Sequence, residues 1–89
     1  MFTLIMYDIS DDKKRARVEK LLSSYGVRVN YSVFELDIAR STFKKILAKL
    51  HELTSKEDNV RIYILTKEVV DRSFTLHHDK GIFDEEYYF

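Results

Sequence analysis

The chain has 89 residues with no cysteine and no proline, so it has the length of one domain and contains neither disulfides nor thiolate metal sites. A domain of this size buries only about 60–65 % of its unfolded surface, which makes association between copies the remaining source of stability. Formal net charge is zero, which argues against a protein that coats nucleic acid through its overall field.

The run Phe2-Thr3-Leu4-Ile5-Met6-Tyr7 is nearly continuous in large apolar side chains and predicts a first strand covered on both faces. Its end releases one carboxylate, Asp8, where the chain turns into a basic helix. An acid at the rim of a sheet can hold a metal, and the cations of Asp11-Asp12-Lys13-Lys14-Arg15-Ala16-Arg17 suit a phosphate-bearing ligand. An aspartate at such a junction also serves simply as a turn or capping residue. Ser10 or Asp11 caps the helix, whose apolar positions Val18, Leu21, Leu22 and Tyr25 fall on one stripe, and Gly26 ends it. Lys13, Arg17 and Lys20 form a cationic ridge on the opposite side.

Val27 to Leu36 alternates and reads as a second strand, with Val29, Tyr31 and Val33 on one face. A second helix follows from a cap near Ser41 or Thr42, with Phe43, Ile46, Leu47, Leu50 and Leu53 as its apolar stripe and Lys44, Lys45 and Lys49 facing outward. A polar loop precedes a third strand from Val60 to Leu65. A short fourth strand is expected around Val69 to Val70 or Ser73 to Leu76, and an extra C-terminal strand could follow in the aromatic and acidic stretch 82–89.

The expected fold class is α+β, a ferredoxin-like β-α-β-β-α-β arrangement with a four-stranded antiparallel sheet and two helices on one face. Residues 1–89 are read as a single domain, with a core over 1–76 and a tail over 77–89 for dimer or partner contacts. The uncovered sheet face is expected to pack against a symmetry mate in a homodimer, which would also use some of the twelve Phe and Tyr side chains. Residues 11–31 hold six Lys and Arg against three acids, whereas residues 68–89 hold six acids against two Lys and Arg. Such a chain can meet a phosphate backbone with one region and a basic protein with the other. No apolar run approaches the ~20 residues that span a bilayer, and no leader pattern is evident, so no membrane contact and a cytoplasmic location are expected.

The segments Tyr7-Asp8-Ile9-Ser10-Asp11-Asp12, Arg15-Ala16-Arg17-Val18, Tyr25-Gly26, Arg28-Val29-Asn30-Tyr31-Ser32-Val33-Phe34-Glu35 and Val60-Arg61-Ile62-Tyr63 together closely resemble the small CRISPR-associated endonuclease family, Cas-two. The resemblance runs from Met1 to about Leu65. It implies a ferredoxin-like homodimer of the spacer-acquisition machinery that works beside a larger integrase, Cas-one. It also implies metal-dependent cleavage of RNA or DNA in some members, with Asp8 as metal ligand and catalytic residue. Arg15, Arg17 and Arg28 match nucleic-acid-contacting arginines of relatives, and Tyr7 and Phe34 match functional aromatics. Beyond Leu65 the resemblance fades, and only a role for the tail in the dimer or partner contact is carried over.

Phosphodiester hydrolysis needs an activated water and charge stabilisation on the phosphoryl oxygens, which Mg²⁺ or another divalent cation supplies. Asp8 alone is a feeble Mg²⁺ site, but a two-fold dimer could bring a second copy of it. Tyr7, Tyr31 and Phe34 are read as core or interface packing rather than base-stacking platforms. Ser32 has no activating partner, and the histidines, including His77-His78-Asp79, lack zinc-ligand spacing. Two functions stand side by side: an Mg²⁺-dependent endonuclease acting on RNA or double-stranded DNA, and a non-catalytic DNA-binding scaffold bridging integrase dimers.

Overall fold

The computed structural model describes residues 1–77 and 81–82. In chain order the elements are β1 (Phe2–Asp8), α1 (Asp12–Ser23), β2 (Gly26–Asn30), β3 (Val33–Asp37), α2 (Arg40–Leu53), β4 (Asn59–Leu65) and α3 (Lys67–Arg72). The sheet order is β2-β3-β1-β4 and every neighbouring pair is antiparallel. This is the expected β-α-β-β-α-β arrangement with one short helix added.

Alternation along β1 decides how the layers meet. Thr3, Ile5 and Tyr7 are buried, while Phe2, Leu4 and Met6 on the other face are half-buried and Asp8 is exposed. Ile5 lies opposite Phe34 of β3 in the ladder, and both are fully buried. Val18 and Leu22 of α1 and Phe43, Ile46 and Leu50 of α2 close over this face, so the predicted stripes of both helices form the core. Asp11 is the N-cap of α1, its carboxylate accepting from the Lys14 N–H at 2.7 Å. The Lys14 ammonium in turn reaches Asp58 at 2.9 Å, binding α1 to the loop before β4. Among the described residues no helix is long and apolar enough to cross a membrane.

Five expectations are corrected. The alternating run from Val27 to Leu36 is a hairpin of two strands, with the bend at Tyr31 and Ser32 and a register shift between Arg28 and Asn30. Side chains hold the bend: Asn30 Oδ1 accepts from the Tyr31 N–H at 2.8 Å, and Arg28 Nε donates to the Tyr31 carbonyl at 2.9 Å. The region expected as a fourth strand holds α3 instead, capped by Thr66, whose hydroxyl accepts from Val69 N–H, and carrying a Lys67–Asp71 ion pair one turn apart. That cap overrides the β preference of the paired valines, and Ser73 to Leu76 contains no strand.

Gly26 does not end α1, which stops at Ser23; it opens β2, where a Cβ would sit 2.7 Å from Leu36 Cγ and closer still to the Glu35 carbonyl. The open sheet face is also not wholly bare. The chain beyond α3 comes back across it, so that Phe74, Thr75, His77 and Gly81 enclose a cavity of about 540 Å³ with Val29, Asn30 and Glu35. In addition, α2 begins at Arg40 with Ala39 at the cap position and no side-chain cap, so the cap lies two residues ahead of the expected Ser41. The expected C-terminal strand and most of the 77–89 tail lie outside the described residues.

Phe34→Ala empties the centre of the core and is expected to cost about 3–5 kcal/mol, read as a lower urea midpoint at unchanged slope. A cost below about 1 kcal/mol would show that this ring is not the packing centre. The Lys14–Asp58 hydrogen bond raises the Lys14 pKa, and the same bond with that from Ser55 N–H lowers the Asp58 pKa. A depressed aspartate contributes stability above its unfolded pKa and loses it as the pH falls through the folded value. Asp58→Asn is therefore expected to melt below wild type at pH 7, with the gap closing as the pH drops below about 4. A gap that persists in acid would assign the loss to something other than this charge.

Candidate functional site

The ladder of β1 gathers the chemistry at one end of the sheet. Asp8 pairs with Asn59 and Met6 with Arg61 on the β4 side, while on the β3 side the Tyr7 N–H donates to the Ser32 carbonyl at 3.1 Å. The tip of the hairpin, Asp8 and the start of β4 consequently share one rim. Because Tyr7 points inward at 5 % exposure, the next side chain must point outward, and Asp8 stands exposed over the open face. Met6, Tyr7, Asp8, Asn59 and Arg61 line a depression of about 200 Å³ there. The Asp8 carboxylate has no ion pair among the described residues.

Tyr7 is the floor of this rim. Its ring stacks on Phe34 with centroids 6.4 Å apart, and its hydroxyl donates to the Tyr31 carbonyl at 3.3 Å. Burial, reinforced by Glu19, pushes its pKa up to about 12, so the hydroxyl remains a donor through neutral and mildly alkaline pH. Phe34 is buried like Tyr7, whereas Tyr31 is 85 % exposed at the hairpin tip, so of the three aromatics singled out in the sequence two share the core and one stands outside it.

The three arginines also divide. Arg15 donates to the Ile9 carbonyl at 3.0 Å and to the Asp12 carboxylate, a contact that raises its pKa. Arg28 donates to the Tyr31 carbonyl and, through Nη2, to Glu19 at 3.2 Å. Both are partly engaged in holding the rim together. Arg17 is exposed, and like Lys13 and Lys20 it has no ion pair among the described residues. Arg61 was read in the sequence only as an alternating strand residue. Strand register, invisible in a single sequence, is what sets it beside Asp8, with its Nη1 donating to the Tyr63 hydroxyl at 3.4 Å.

No group of three or more acids and histidines is poised to hold a metal ion among the described residues. One protomer thus supplies a single free carboxylate, next to the Asn59 position. That donor set fits a hard cation that retains most of its waters, such as Mg²⁺, and does not fit zinc. His51 is exposed on α2, and His78 and Asp79 lie outside the described residues.

Residues 1–73 match the model of the family described as CRISPR associated protein Cas2. The chain is 39 % identical over 80 residues to a CRISPR-associated endoribonuclease Cas2 of Thermus thermophilus, an alignment covering 89 % of this chain and 85 % of that protein. It is 46 % identical over 67 residues to one from Chloroflexus aurantiacus, covering 73 % and 72 % of the two. Among solved structures, Cas2 of Streptococcus pyogenes superposes with a TM-score of 0.74 at 32 % identity, covering 86 % of this chain and 100 % of that one. A chain of a partial Cas6-RT-Cas1–Cas2 complex superposes with a TM-score of 0.70 at 34 % identity, covering 84 % and 89 %. With the fold, the segment spacing and the family match in agreement, the chain belongs to the CRISPR-associated Cas2 family.

Proposed function

We propose that the chain is a divalent-metal-dependent endonuclease of CRISPR spacer acquisition, acting on RNA or DNA as a homodimer with Asp8 at its catalytic centre and working beside the Cas-one integrase. The observation that carries this reading is the free, exposed Asp8 carboxylate at the rim of the sheet, in a depression shared with Arg61. The relatives named as endoribonucleases support the activity, and the complex that contains Cas1 supports the partnership. The half-buried apolar face of β1 supports pairing of two copies, which would bring a second Asp8 to the metal.

A bound divalent cation supplies an activated water and neutralises charge on the phosphoryl oxygens. Asp8, with its counterpart from the second copy, is the ligand that holds it. Arg61, which lines the same depression, offers guanidinium donors to a phosphate oxygen beside Asp8. Arg15 and Arg28, with side chains 36 % and 44 % exposed, keep further donors for the backbone while bracing the rim. Tyr7, held protonated, contributes a neutral floor and no competing negative charge.

A second reading has its own observation. Lys13, Arg17 and Lys20 form a cationic row along α1 with no ion pair among the described residues, a surface that can hold a duplex by its phosphates without cutting it. A scaffold that bridges integrase dimers requires that row and does not require Asp8.

Asp8→Ala is expected to reduce Mg²⁺-dependent cleavage of labelled RNA or DNA at least a hundredfold while leaving binding in EDTA intact. Cleavage that survives both the substitution and EDTA refutes the assignment, and unimpaired integration without any cleavage by wild type favours the scaffold. Arg17→Ala is expected to weaken duplex binding and to lower the slope of log affinity against log salt by about one. An unchanged slope removes Arg17 from the contacts.

A further inference from the structure

Tyr31 is the most exposed large hydrophobic residue among those described, at 85 %, yet its backbone is held from several sides. Its carbonyl accepts from Arg28 Nε at 2.9 Å, from Arg28 Nη2 and from the Tyr7 hydroxyl at 3.3 Å, and its N–H donates to Asn30 Oδ1 at 2.8 Å. A hairpin tip is ordinarily more mobile than the strands it joins. Here a buried tyrosine, an arginine and an asparagine fix it, and what they present to solvent is a flat ring. Arg28, Val29, Asn30 and Tyr31 also line a shallow hollow of about 350 Å³.

An exposed tyrosine on a fixed backbone, with a guanidinium 44 % exposed beside it, joins the two elements that bind single strands: an aromatic face for a base and a cation for its phosphate. A tyrosine has few rotors to freeze, so little affinity is lost in ordering it. The ladder bond from Tyr7 N–H to the Ser32 carbonyl puts this tip on the same rim as Asp8. Bases inside a duplex are stacked on each other and do not expose a face to such a ring.

We propose that Tyr31 is a stacking platform for a nucleobase of the bound strand, flanking the phosphate addressed by Asp8. The inference deepens the endonuclease reading and rests on it for the position of the phosphate. Sequence pattern alone places Tyr31 in packing; its 85 % exposure within the chain redirects that assignment.

The test measures anisotropy of a short labelled single-stranded RNA, the DNA of the same sequence and the matching duplex, all in EDTA, with wild type, Tyr31→Phe and Tyr31→Ala. Stacking predicts that Tyr31→Ala weakens single-strand binding about five- to a hundredfold, leaves the duplex unchanged and melts like wild type, while Tyr31→Phe stays within about twofold. An abasic substitution in the strand is expected to produce the same loss once and to add nothing to Tyr31→Ala. Comparing the RNA with the DNA arm shows which strand the site favours. Unchanged single-strand affinity for Tyr31→Ala overturns the proposal, as does an equal loss on single strand and duplex accompanied by a lower solution mass, which would make Tyr31 a subunit contact. Neither result touches the Asp8 assignment, which is read separately from cleavage.

Discussion

The central strand β1 is hydrogen-bonded along both edges, and that constraint governs most of the molecule. A strand clamped between β3 and β4 cannot slip by one residue without turning Ile5 and Tyr7 out of the core and Leu4 and Met6 into it. Parity then does the rest. With Tyr7 buried against Phe34, Asp8 has only the outside available, at the point where β1 gives out and the two flanking strands begin. The free carboxylate is a by-product of core packing carried to the end of the strand.

Charge allocation follows the same economy of position. Glu19 faces the rim from α1 and engages Arg28, while lying within 4.0 Å of Arg15. Asp12 takes a second hydrogen bond from Arg15. These contacts are partly exposed and contribute little to stability singly, but they orient two guanidinium groups and raise the cost of disturbing the hairpin. Of the three arginines, Arg17 is the one with no ion pair among the described residues. A basic segment read from composition alone treats all of these residues alike; the fold separates braces from open donors.

Long periodic segments were legible from the sequence. The stripes of Val18 and Leu22 and of Phe43, Ile46 and Leu50 specify both packing helices, and the apolar run ending in Asp8 specifies β1 and its rim. The hairpin was not legible because its bend lacks the glycine or proline that marks most turns. Val27 to Val33 keeps an unbroken alternation through Tyr31 and Ser32, and the bend depends on Arg28 and Asn30 side chains that local pattern does not reveal. Residues 67–72 were misread because two adjacent valines favour a strand, while Thr66 and the Lys67–Asp71 pair favour a helix, and the local cap prevailed. Of the rim, Asp8 was visible as the end of a strand, whereas Arg61 and Asn59 became neighbours of it only through register.

The clamp between Lys14 and Asp58 has a bearing on how the rim receives anything large. Asp58 immediately precedes Asn59, and Lys14 lies in the first turn of the helix that follows Asp8, so one ion pair joins the segments flanking the two strands that line the depression, which the ladder already pairs. Ser55 tightens the same knot by donating its N–H to Asp58 at 2.9 Å. The lips of the depression are consequently set during folding rather than during capture, and a bulky guest must approach from above the open sheet instead of prying them apart.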